Sequence, residues 1–65
     1  MQSLREARKA KGVTARAVAR HIGVTERTYY NYEERPERVS IATAKSICDF
    51  LGYTLDEIFL NESVN

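Results

Sequence analysis

Several polar and aromatic side chains fall on one side of a predicted helix that begins after Thr25. A helix turns by about 100° per residue, which places these side chains within a single arc. They are Glu26, Arg27, Tyr30 and Asn31. Thr28 lies at the edge of this arc, whereas Tyr29 and Tyr32 lie on the opposite side. Arginine, asparagine and glutamate side chains hydrogen-bond to base edges, and an aromatic ring contacts a thymine methyl group. The pattern therefore indicates a hydrogen-bonding surface, and the edges of DNA base pairs are its best candidate ligand.

Each of these side chains has a specific candidate role, and three of them also have a simpler alternative. Arg27 can donate two hydrogen bonds to guanine, or it can be a solvated helix arginine. Glu26 can accept from a cytosine amino group, or it can be favoured by the positive end of the helix dipole. Asn31 can pair with adenine or bind a phosphate. Tyr30 can contact a thymine methyl group and a phosphate, or it can be a half-buried surface aromatic.

Contacts to phosphates need positive charge or polar donors close to this helix. The candidates are Thr14, Arg16, Thr25, Arg35 and Arg38. The net charge of the chain is only +1, but residues 1–32 hold seven basic and two acidic residues, and residues 33–65 hold three basic and seven acidic ones. A basic half attracts phosphate and an acidic half limits indiscriminate binding. The alternative is that these charges are simply solvated surface.

Five short helices are predicted to position these residues. Each begins after a capping residue and ends near residue 11, 23, 33, 51 or 60. The caps are Ser3, Thr14, Thr25, Ser40 and Thr54. Pro36 prevents the third helix from continuing, and no sustained alternation predicts a strand.

One hydrophobic core must hold these helices together, because each is too short to be stable alone in water. The predicted core residues are Leu4, Val13, Val18, Ile22, Val24, Tyr29, Tyr32, Ile41, Ala44, Ile47, Cys48, Leu51, Leu55, Ile58 and Phe59. The expected fold is a single all-α domain of five helices over residues 1–65. Its core spans residues 3–60, and residues 61–65 are expected to form a flexible tail.

Three segments carry a family resemblance. Residues 24–33, VTERTYYNYE, resemble the recognition helix of phage-repressor and Cro-type (XRE-like) helix-turn-helix proteins. Residues 12–14, GVT, are similar to the Gly-Leu-Thr of that family, and residues 51–59, LGYTLDEIF, are similar to its Leu-Gly-Val-Ser-Leu-Asp-Glu-Leu-Phe. The resemblance covers about residues 3–60. It implies a lambda-repressor-like DNA-binding domain in which helices 2 and 3 form the helix-turn-helix unit.

The resemblance also implies a structural ion pair between Arg8 on helix 1 and Glu33 on helix 3. The chain departs from the family at two places. The family often has a phosphate-binding Gln at the start of helix 2, where this chain has Ala15, and Arg16 is the candidate substitute. The family often has a basic loop after helix 3, where residues 34–38 are ERPER.

The expected function is that of a transcriptional regulator that binds a specific sequence in double-stranded DNA. We expect nothing in the chain beyond the DNA-binding domain, so it resembles a Cro-like repressor of a phage or mobile element. A homodimer on a pseudo-palindromic operator is expected, with Phe50, Tyr53, Leu60 and Val64 as candidate dimer residues or ordinary core. The alternative is a protein-interaction module, such as an anti-repressor or an antitoxin-like adaptor. A fragment of a larger regulator is a third interpretation.

Other functional classes have little support in the sequence. Cys48 is the single cysteine, which argues against a disulfide or a cysteine metal cluster and fits a reducing cytoplasm. His21 is the single histidine and is expected at the surface. We expect no catalytic residues, metal, cofactor or small-molecule ligand. No segment is apolar enough to span a membrane, and the charged N-terminus does not resemble a signal peptide.

Overall fold

A computed structural model describes residues 3–59, which form five α-helices and one turn of 3-10 helix. The helices are α1 Leu4–Ala10, α2 Ala15–Ile22, α3 Glu26–Glu34, α4 Ile41–Leu51 and α5 Leu55–Ile58, and the 3-10 turn is Pro36–Arg38. This described part of the chain contains no strand. The prediction of an all-α, five-helix domain is confirmed.

Side-chain caps set where the helices begin. A hydroxyl oxygen accepts a hydrogen bond from the backbone N–H three residues further on at the start of α1 to α4, with distances of 3.1 to 3.2 Å. The capping residues are Ser3, Thr14, Thr25 and Ser40. At the start of α5, the N–H of Thr54 donates to Glu57 Oε1 at 2.8 Å. The predicted start of each helix is therefore confirmed.

A three-residue turn joins α2 to α3 and sets the angle between them. Gly23 adopts the left-handed conformation, with φ of +77°, which glycine reaches without the steric cost that a Cβ brings. The N–H of Val24 then donates to the carbonyl of Ala19 at 3.0 Å. This hydrogen bond closes the end of α2 and directs the chain back, so that α3 packs against α2.

The predicted end of α4 at Leu51 is confirmed, and the other predicted helix ends differ from the structure by one or two residues. Helix α1 ends at Ala10 rather than residue 11, and α3 continues to Glu34 rather than 33. Pro36 does stop α3, but it also begins a 3-10 turn that the sequence did not predict. Proline suits this first position because it has no N–H that would need a partner. Helix α5 ends at Ile58, and residue 60 lies outside the described residues.

All five helices contribute to one core. The fully buried side chains of largest volume are Tyr29, Leu4, Ile47, Val18 and Cys48. Most of the predicted core is confirmed as buried or packed against the buried cluster. The prediction missed three buried alanines, which are Ala7, Ala15 and Ala19.

Ile41 was wrongly predicted as core, because its side chain is 65% exposed. It lies on the same helix face as the buried residues Ala44 and Cys48. However, it is the first residue of α4, one turn before the part of the helix that the other elements cover. Helical periodicity alone does not show which turns of α4 are covered by the other helices.

Candidate nucleic-acid interface

Adjacent tyrosines on α3 point to opposite sides of the helix. Tyr29 is completely buried, whereas Tyr30 is 45% exposed. Arg27 and Asn31 are also exposed. The prediction that Tyr29 faces the core and Tyr30 faces solvent is confirmed. One side of α3 therefore anchors the helix, and the other side displays polar groups.

A buried ion pair fixes α3 against α1. Arg8 Nε lies 2.6 Å from Glu33 Oε2, and Arg8 Nη1 also donates to the carbonyl of Val13 at 3.0 Å. The structure thus brings together the two residues that the resemblance implied as a pair. It adds Arg5, whose Nε lies 3.3 Å from Glu33 Oε1. This second contact could have been predicted from the sequence, because Arg5 and Arg8 are three residues apart and therefore lie on one face of α1.

The pKa values in this cluster follow from burial and from the two arginines. Burial raises the pKa of Glu33, but the hydrogen bonds from Arg8 and Arg5 outweigh it, and the net pKa is lowered. The hydrogen bond to Glu33 raises the pKa of Arg8 despite partial burial. Burial, reinforced by the nearby carboxylate, raises the pKa of Tyr29. The Tyr29 hydroxyl is close to Glu33 but has no hydrogen bond of good geometry within residues 3–59.

The beginning of α3 is organised by α2 and by its own cap. Arg16 Nε lies 3.6 Å from Glu26 Oε2, a contact that the sequence did not predict. The Thr25 hydroxyl accepts from the N–H of Thr28 and donates to Thr28 Oγ1 at 3.0 Å. The Thr25 hydroxyl is thus already engaged within the turn. Among the described residues, the Thr14 hydroxyl accepts only the capping N–H, so its proton is available to a ligand.

A groove of about 440 Å³ runs beside the C-terminal half of α3. It is lined by Thr28, Asn31, Tyr32, Arg35 and Arg38. The end of α3 places Arg35, since its N–H donates to the carbonyl of Asn31 at 2.8 Å, and the 3-10 turn places Arg38, whose N–H donates to the carbonyl of Arg35 at 3.0 Å. Two guanidinium groups beside a hydroxyl and an amide suit an anionic ligand.

Tyr32 lines the groove, although the sequence predicts it only as a core residue. It is half-buried, because its position on α3 lies at the boundary between the two sides of the helix. Arg27 has no hydrogen-bond or ion-pair partner among residues 3–59. Arg27 is therefore exposed on α3 with all of its donors available to a ligand.

The candidate dimer residues are partly used within the domain. Phe50 is 39% exposed and stacks on His21, with ring centroids 4.4 Å apart. Tyr53 is half-buried, and Lys11 Nζ lies 5.2 Å from its ring centroid. The other two candidates, Leu60 and Val64, lie outside the described residues. The expectation that His21 is at the surface is confirmed.

Two packed helices joined by a tight glycine turn, the second with an exposed polar side, define a helix-turn-helix domain. A model of the helix-turn-helix family HTH_3 matches residues 4–58. The chain therefore belongs to the Cro/C1-type (XRE) helix-turn-helix family, and it is a DNA-binding regulator. Comparisons with curated proteins and with solved structures gave no significant match. Within residues 3–59, no helix is both long and apolar enough to cross a membrane, and no group of side chains suits a metal ion.

Proposed function

We propose that this protein represses transcription by binding a specific operator sequence in double-stranded DNA. In the proposed complex, α3 lies in the major groove and α2 crosses the phosphate backbone. The base contacts come from the exposed side of α3, through Glu26, Arg27, Tyr30 and Asn31. The observation that carries the proposal is Arg27, which is exposed on the second helix of a helix-turn-helix domain and has no partner within the described residues 3–59.

Phosphate contacts complete the proposed interface on both sides of α3. Arg35 and Arg38 bind a phosphate in the groove beside α3, together with the Thr28 hydroxyl. Arg16 and Thr14 bind a phosphate at the start of α2, where Thr14 still has a free donor. Thr25 contributes through the N-terminal end of α3 rather than its hydroxyl, which is engaged with Thr28. These contacts fix the orientation of the domain and carry no sequence information.

A homodimer is proposed because one domain of this size contacts few base pairs. Two copies related by a two-fold axis would place their α3 helices in successive major grooves, about 34 Å apart, on a pseudo-palindromic operator. The dimer would act in the manner of a Cro-like repressor of a phage or mobile element, by occluding the promoter. No catalytic step is part of this proposal.

The proposal is tested by selecting sequences from random duplex DNA with the wild-type protein. Fluorescence anisotropy of the enriched sequence at about 50 and 200 mM salt should show a steep loss of affinity, because each neutralised phosphate releases counterions. Arg27→Ala should abolish preference for the enriched sequence while the thermal melt stays unchanged. The matched control is Lys45→Ala on α4, which removes the same charge outside the proposed interface.

The opposite results point to a different function. Equal preference in Arg27→Ala and wild type would exclude Arg27 as the base-contacting residue. No enrichment from random DNA, with binding insensitive to salt, would favour the second candidate function, a protein-interaction module. The exposed acidic residues Glu34 and Glu37 after α3 are the observation that favours this candidate.

A further inference from the structure

The ion pair between Arg16 and Glu26 lies at the edge of the exposed side of α3. The side chains are 72% and 47% exposed, and the 3.6 Å between Nε and Oε2 is too long for a hydrogen bond. An exposed pair of this kind adds little to stability, since water screens both charges. Its significance therefore lies in what it does to the Glu26 carboxylate on the surface that would meet DNA.

We propose that Glu26 is a specificity-determining residue and that Arg16 is the positioning residue that holds its carboxylate toward one base. This inference rests on the proposed function above. A carboxylate accepts a hydrogen bond from the N4 amino group of cytosine in the major groove. Arg27, the next residue, offers donors that fit guanine, so the two neighbours would recognise opposite polarities on the base edges.

A Glu26 carboxylate without a positive partner would weaken DNA binding. Negative phosphates line the groove, and a like charge close to them weakens binding. The positive charge of Arg16 beside Glu26 makes the pair neutral, which removes most of that repulsion. It also restricts the carboxylate to fewer orientations, so less entropy is lost when a base is bound.

The start of α2 allows Arg16 to serve both Glu26 and the DNA backbone. Ala15 before it is 3% exposed and has no polar group, so Arg16 is the polar side chain at this end of α2 that reaches α3. A guanidinium carries five N–H donors in a fixed fork. Arg16 can therefore contact Glu26 through Nε and a phosphate through another nitrogen, linking backbone position to base recognition.

The test compares four proteins on one panel of duplexes. The proteins are wild type, Glu26→Gln, Arg16→Gln and the double variant, and the panel carries each base pair in turn at every position of the selected half-site. Glu26→Gln should lose about tenfold discrimination at one position, in line with the usual cost of one mismatched base pair. Arg16→Gln should lose discrimination at the same position, and the double variant should lose no more than either single one.

The matched control is Arg20→Gln, which removes the same charge from another exposed arginine of α2 and should leave every preference unchanged. Conservative Arg16→Lys, which keeps the charge, should restore part of the lost discrimination. Thermal melts of all variants should coincide, because the pair is exposed.

Two results would overturn the inference while leaving the proposed function intact. Arg16→Gln could weaken binding equally for every sequence and leave the discrimination between bases unchanged, as the loss of a phosphate contact alone would. Glu26→Gln could leave all base preferences unchanged. If wild type itself shows no preference for any duplex, the proposed function fails, and this inference fails with it.

Discussion

Replacing Arg8 by methionine should lower the free energy of unfolding by about 3 kcal/mol. Removing one partner of a buried pair leaves an uncompensated charge, at a usual cost of roughly 3 to 5 kcal/mol. The Glu33 side chain is completely buried, so water cannot replace Arg8. Arg5 remains 3.3 Å from the other carboxylate oxygen, which places the expected cost at the lower end of that range.

Urea denaturation followed by far-ultraviolet circular dichroism measures this cost. A domain of this length is stable by roughly 3 to 10 kcal/mol, so the variant is expected to be close to unfolding. The midpoint should fall by about 3 M urea, taking a slope of about 1 kcal/mol/M for a small domain. A stabilising osmolyte in all samples keeps the folded baseline measurable.

Two control variants separate burial from charge. Arg5→Met removes a half-exposed partner of the same carboxylate and should cost about 1 kcal/mol or less. Arg20→Met removes an exposed arginine without a partner among residues 3–59 and should change stability by less than about 0.5 kcal/mol. Replacing Arg8 and Glu33 together by methionine should cost less than the sum of the single changes, because no charge is left unpaired.

The reasoning would be refuted by a midpoint for Arg8→Met that matches Arg20→Met. That result would mean that water or Arg5 alone satisfies the Glu33 carboxylate. The ion pair between Arg8 and Glu33 would then not be what holds α1 against α3.

Three further predictions concern the effect of acid on stability, the α2–α3 turn and the hydrophobic core. Each is checked by urea denaturation. Because the pKa of Glu33 is lower in the folded chain, wild-type stability should fall as pH drops below about 4.3. The Glu33→Gln variant should lose less stability at low pH than the wild type does, and equal losses in the two proteins would contradict this reasoning. Gly23→Ala should cost about 1 to 2 kcal/mol from its positive φ alone, as nothing lies within 4 Å of the new Cβ; a neutral effect would contradict it. Ile47→Val should lower the free energy of unfolding by about 1 kcal/mol, and Ile41→Val should lower it much less. Equal losses would contradict the burial of Ile47 and the exposure of Ile41.

Helix starts could be predicted from the sequence because capping is local. A cap such as Ser40 and the N–H that it binds are three residues apart, so the signal lies within one turn. Helix ends and burial depend on neighbours far along the chain. Ile41 has the correct helical phase for the core, yet the other helices do not reach it.

The candidate interface was predictable in part for the same reason. The two sides of α3 follow from helical periodicity, which separates Tyr29 from Tyr30. The contacts that hold and adjust this helix come from elsewhere, since Arg5 is 28 residues from Glu33. Arg16 meets Glu26 across the angle between α2 and α3, and no spacing rule gives that angle. The groove formed by the 3-10 turn also depends on how the chain leaves α3.

The alternation of buried and exposed residues along α3 has an evolutionary consequence. The residues that hold the helix, Tyr29 and Glu33, share no position with those proposed to touch DNA. If Arg27 and Asn31 make the proposed base contacts, a change of either residue alters the DNA sequence that is recognised without disturbing the fold. Descendants of one gene can thus diverge in their target sites by single substitutions, each intermediate remaining a folded protein, and the same separation makes the exposed side of α3 a natural surface for grafting new specificities.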